Sequence, residues 1–198
     1  MKRWAYKMTE PFFQQAAKLR DRYVSFFRSA IDNLRSSPNF AVELLTQPNG
    51  RDTPEPFCLM RLDAIHGLIG KHEIQRIADS LESAPKASFR LSNGLEVRQD
   101  DFSWEALRLI FSLDGFEVQT LRDWLLKWLD PEETRKPDSW GLSGVVHDLA
   151  WSLTGPDIWC LDLDFGSAPI SALEELLTQL SAVGVKRVTV ARHDETEA

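Results

Sequence analysis

The chain has two cysteines in 198 residues, Cys58 and Cys160, far apart and each inside an apolar run. That excludes a disulfide framework and any metal site of paired-cysteine spacing. A thiol in such a run packs as a small hydrophobe. No apolar run approaches the ~20 residues of a spanning helix. The opening Met1-Lys2-Arg3-Trp4-Ala5-Tyr6-Lys7 is charged but has no apolar core of a secretory signal. These absences predict a protein of the reducing cytoplasm. Also missing are the Gly-x-x-x-x-Gly-Lys-Ser/Thr phosphate loop, the Gly-x-Ser-x-Gly nucleophile elbow and the His-x-x-x-His zinc pair. No cofactor and no metal ligand set is therefore expected from spacing. No internal repeat and no low-complexity segment occurs.

What is present is an ordinary globular composition, 43% hydrophobic and 27% charged, with seven tryptophans and eleven phenylalanines. The net charge is −7, unevenly spread. Residues 1–35 carry eight basic and three acidic side chains; the remainder carries 15 and 27. An acidic body repels phosphate and argues against nucleic acid. It suits a basic protein partner, or solubility alone. The length fits one domain, 1–198, with a helical subregion 1–85 and an α/β subregion 86–198.

Periodicity gives the elements. Residues 9–35 read as a long helix, capped by Thr9, with Pro11 in its first turn and an apolar face from Phe12 to Leu34. Arg20 falls inside that face and is expected to be paired structurally. Residues 38–46 fit a helix or a strand. Residues 57–69 and 71–82 follow helical spacing, with a strand at 57–62 as the alternative. Asn93-Gly94 marks a hairpin over 87–99. The run 107–113 leans to a strand, and 117–129 and 142–153 to helices. A strand from Ile158, a helix over 170–182 and a strand 185–191 predict a parallel βαβ unit. The fold class is α+β: a helical N-terminal half packed on a mixed β-sheet with a C-terminal parallel βαβ unit.

Two places invite chemistry. Asp162 and Asp164 share one face of their strand, about 6.6 Å apart, near its carboxyl end. Two ionised carboxylates there repel by roughly 2.5 kcal/mol at a dielectric near 20. They need solvent, a basic group or a cation, and Arg192-His193 at the end of the last strand offers to neutralise Asp164. The Asp-Leu-Asp-Phe-Gly stretch has Gly166 where haloacid dehalogenase-like phosphotransferases require threonine, so that family is set aside. The second place is His147-Asp148 with Trp151, read on the side of a helix opposite its apolar stripe. Trp151 there calls for a cover from the same chain or from a partner. Trp140 lies on a loop, where tryptophans anchor interfaces or plug core edges. His66 and His72-Glu73 match no compact ligand spacing.

The expectation is a small acidic cytoplasmic protein-binding module without catalysis, like inhibitor, antitoxin or immunity proteins in composition alone. Its contact residues are Trp140, His147, Asp148, Trp151, Asp162 and Asp164. The alternative is a metal-dependent hydrolase or phosphoryl-transfer enzyme using Asp162 and Asp164. A third reading lays the basic, aromatic N-terminal segment on a membrane surface.

Overall fold

In Leu107–Ser112, apolar side chains at every second position face one way, and Leu107, Leu109 and Phe111 are buried. This strand is the centre of the molecule. The computed structural model describes residues 11–68, 71–77 and 86–193. In chain order its elements are α1 (Pro11–Leu34), β1 (Ala41–Thr46), β2 (Met60–Leu68), β3 (Lys71–Gln75), β4 (Ala87–Arg90), β5 (Glu96–Gln99) and β6 (Leu107–Ser112). A 3-10 turn, Val118–Leu121, leads into α2 (Arg122–Leu129), followed by β7 (Asp148–Gly155), β8 (Ile158–Asp164), α3 (Ile170–Ala182) and β9 (Arg187–Arg192).

The strands form two sheets. One is an antiparallel meander, β1-β2-β3; the other is mixed, in the order β4-β5-β9-β6-β8-β7. In the mixed sheet Leu107 pairs with Leu163, and Leu109 lies between Leu161 and Val190. Their common face joins the buried stripes of α1, α2 and α3 in one core cluster. Phe12, Phe13, Ala16, Tyr23, Val24, Phe27 and Ile31 are the buried face of α1. Leu173, Leu176, Leu177 and Leu180 are that of α3. The α+β class holds, as do the long first helix, the 87–99 hairpin, the strand at 107–112 and the helix ending at Leu129. Arg20 has the expected structural role: it donates to the carbonyls of Ser167 and Ala168 and pairs with Asp21.

Three segments differ from the periodic reading. Residues 57–68 are not helical: β2 runs from Met60 to Leu68 between β1 and β3, and residue 69 lies outside the described residues. The spacing of Cys58, Leu62 and Ile65 is helical, and the charged residues override it. Arg61 and Asp63, both buried, alternate onto one face and find partners there. Lys71–Gln75 is β3, and residues 78–82 of the helix expected there lie outside the described residues. The third correction is 142–153. The amides of Gly144 and Val145 bond to the Ser167 hydroxyl rather than to helical carbonyls, Gly144 has φ +69°, and a strand begins at Asp148. The C-terminal βαβ unit is split, because β6 pairs antiparallel with both β8 and β9 and separates them. Thr9 and the tail beyond His193 lie outside the described residues.

Leu109, fully buried, and Ile74, 64% exposed, test this arrangement. Leu109→Ala is expected to cost about 2–5 kcal/mol in urea unfolding. Ile74→Ala should stay within about 0.5 kcal/mol of the parent.

Candidate functional site

The register of β1 on β2 places Glu43 opposite Asp63, between the pairs Val42–Ala64 and Leu44–Leu62. Directly opposed side chains stand about 5 Å apart. Two carboxylates on such neighbours repel by roughly 2–3 kcal/mol at a dielectric near 20. Both are buried. The chain resolves the conflict with His147, which is 0% exposed. Its Nε2 lies 3.0 Å from Glu43 Oε1 and its Nδ1 2.7 Å from Asp63 Oδ1. A ring protonated on both nitrogens donates to both carboxylates.

Each carboxylate is further held. Glu43 accepts from the Ser143 amide at 2.6 Å and, in a short contact, from the Ser167 hydroxyl. Asp63 Oδ2 accepts from the Ile77 amide at 2.5 Å. Glu43 itself has φ +49°, a left-handed conformation that costs a non-glycine residue about 1–3 kcal/mol. Arg61, equally buried, donates to the carbonyls of Glu43, Leu129 and Asp130 and so fixes that turn. The Arg61 amide bonds to the His147 carbonyl, and the His147 amide to the Asp164 carbonyl. The two sheets are thus tied together at the histidine. The ring of Phe27 meets His147 edge-on at 5.9 Å. A Cβ on Gly166 would lie 2.1 Å from His147 Cδ2, so position 166 admits only glycine.

Asp164 completes the cluster. Its Oδ1 accepts from the Gly166 amide, while Oδ2 stands 3.8 Å from His147 Nδ1. Burial pushes the Asp164 pKa up to about 7; the His147 charge and the Gly166 amide oppose the rise, and the Asp63 and Asp148 charges add to it. Burial alone would lower His147, but the Asp164 charge and the hydrogen bonds to Asp63 and Glu43 hold it well above the usual imidazole value. The Tyr23 hydroxyl, 1% exposed, has no hydrogen-bond partner among the described residues. Burial and then the charges of Asp164, Asp63, Glu105 and Glu43 push its pKa upward.

The cluster forms one wall of a cavity of about 570 Å³ between the two sheets. Asp63, Glu105, Asp148, Asp162 and Asp164 line it, with Arg51, Arg61, Arg76 and His193. Asp148 is gripped by Arg51 through two bonds of 2.6 and 2.5 Å. Asp162 is gripped by Arg108 at 2.6 and 3.1 Å, with His193 in contact with both. Arg108 of β6 therefore neutralises Asp162, with His193 beside the pair, where the sequence pointed to Arg192-His193 neutralising Asp164.

Of the six sequence-derived candidates, Asp148, Asp162 and Asp164 meet at this cavity and His147 stands behind its wall. His147 is on no helix and offers no exposed face. Trp151 is covered by its own chain, its ring edge-on to Phe57 at 5.2 Å. Trp140 lies apart, under Arg28 at 4.5 Å and bonded to Asp32. Sequence reasoning missed Glu43, Asp63, Tyr23 and Ser167. A signal existed for two of them: Glu43 interrupts an apolar strand, and Asp63 alternates with Arg61 inside another.

Two measurements follow from the buried charges. His147→Gln leaves two opposed carboxylates without their cation, and is expected to lose about 3–5 kcal/mol in urea unfolding at pH 7. Asp164 binds its proton more tightly folded than unfolded, since its pKa rises from 3.8 to about 7. Its contribution to stability is complete below pH 4 and is lost as pH rises through 7. His147 acts in the same sense at higher pH. In chelator-treated protein the melting temperature should fall from pH 5 to pH 8, and Asp164→Asn should flatten that fall.

No family model matches the sequence, and no curated protein and no solved structure matches it.

Proposed function

We propose that the chain is a binding protein without catalysis, and that a basic protein partner docks at the mouth of the cavity between the two sheets. The observation that carries this reading is the convergence of Asp148, Asp162 and Asp164 on one cavity. Five carboxylates line it with Arg51, Arg61 and Arg76, and Arg108 grips Asp162 from outside the lining. A lysine or arginine side chain complements the carboxylate oxygens that face the cavity. The net charge of −7 adds long-range attraction for such a partner. Arg51 and Arg108 hold Asp148 and Asp162 in fixed positions, so little side-chain entropy is lost when a cation arrives.

The second reading is a metal-dependent hydrolase or phosphoryl-transfer enzyme on Asp162 and Asp164. Its support is that both side chains reach the cavity. The grip of Arg108 on Asp162 weighs against a cation shared by those two.

Stopped-flow mixing with a lysine-rich probe peptide tests the binding reading. Saturable binding is expected, with an on-rate that falls about tenfold or more from low to high salt. The Asp148→Asn, Asp162→Asn double variant should bind at least about tenfold more weakly. Equal affinity in the double variant, or a salt-insensitive on-rate, overturns the docking site.

A further inference from the structure

His147 has two chemically different sides. Nε2 faces Glu43, a buried carboxylate already fixed by Ser143 and Ser167. Nδ1 faces Asp63 and Asp164, and beyond them the cavity. A histidine that donates from its far nitrogen to an anchored carboxylate has its near nitrogen oriented and made more basic for a metal. We propose that His147 Nδ1 and the carboxylates of Asp63 and Asp164 form a site for one first-row divalent cation, Zn²⁺ or Mn²⁺, at the floor of the cavity.

The geometry is close to what such an ion needs. One donor atom from each of the three residues lies within 4.8 Å of the other two. Tetrahedral donors about 2.1 Å from a common ion stand ~3.4 Å apart. The widest pair must close by up to about 1.4 Å, and the hydrogen-bonded His147–Asp63 pair must open slightly. The charges match as well. A neutral imidazole with two carboxylates carries −2 against a dication, while the Glu43 carboxylate keeps the His147 Nε2 proton, the Ser143 amide and the Ser167 hydroxyl. The mixed nitrogen and oxygen donor set favours a transition ion over Mg²⁺, which prefers oxygen alone. The fold supplies an entry path, because Asp63 and Asp164 both line the cavity.

Tyr23 is an independent pointer. Its hydroxyl is buried and without a hydrogen-bond partner among the described residues, and Asp164 and Asp63 are the first two charges that act on it. It stands one turn before Phe27 on α1, whose ring touches His147. A water completing the coordination shell gives that hydroxyl the partner it lacks. On binding, the Nδ1 proton leaves for bulk buffer through the cavity and Nε2 keeps its proton on Glu43. The site needs no partner protein, so its fate is separable from that of the docking surface.

The test uses chelator-treated full chain. Calorimetric titration with Zn²⁺ and with Mn²⁺ should show one equivalent bound by at least one of them, with a heat that varies with the ionisation enthalpy of the buffer. Asp63→Asn and Asp164→Asn should each weaken binding by more than about tenfold, and Glu43→Gln by about 10- to 100-fold. If a variant fails to fold, the parent protein still decides. Spin-echo spectroscopy of the Mn²⁺ form, or the visible bands of a Co²⁺ form, should report one directly bound imidazole nitrogen. No saturable binding, binding without that nitrogen, or affinity unchanged in folded Asp164→Asn overturns the site.

Discussion

Two negative side chains set face to face across a strand pair are tolerable only with a positive group between them. Here the meander meets the mixed sheet through that requirement. Glu43 and Asp63 come from β1 and β2, and His147 enters from the segment just before β7. Around the imidazole ring the backbone is also bonded across the junction, through Arg61, His147 and Asp164. The left-handed turn at Glu43, the missing side chain at Gly166 and the Ser167 hydroxyl all meet around one ring. A buried ion pair is a poor source of net stability but a strict one of register. A one-residue slip of β1 on β2 would turn Glu43 away from its partner.

The C-terminal half was largely legible because its signals are local. Asn93-Gly94, the stripe from Val118 to Leu129 and the apolar run from Ile158 each contain their own stop signals. Beyond the first helix, the N-terminal half was not. β2 carries charges inside an apolar run, and Asp63 and Arg61 are explained by residues 84 and 68 positions away. The segment 142–153 misled for the same reason, since its break is enforced by the Ser167 hydroxyl. At the site, Asp162 and Asp164 announced themselves as a pair, yet the fold divides them between Arg108 and His147. Nothing in a linear spacing distinguishes a carboxylate held by a guanidinium from one held against an imidazole.

The tryptophans point the same way. Trp104 and Trp124 are core residues whose indole N–H groups reach the carbonyls of Gly166 and Ala172. Trp128 bonds to Glu175 and lies beneath Lys127 and Arg135. Trp140 and Trp151 are covered by Arg28 and Phe57. An abundance of indole rings thus serves mostly to fasten layers within the chain, and the cavity between the sheets is lined instead by carboxylates and arginines.

The order of strands has a bearing on how the molecule is made. β9, the last strand, lies between β5 and β6 and is the sole bridge between the β4–β5 hairpin and the other strands of its sheet. During vectorial synthesis that hairpin waits with one edge bare until β9 has emerged. The sheet is closed from its middle by a strand made long after the hairpin, so the pairing that completes the core is a contact of long sequence separation.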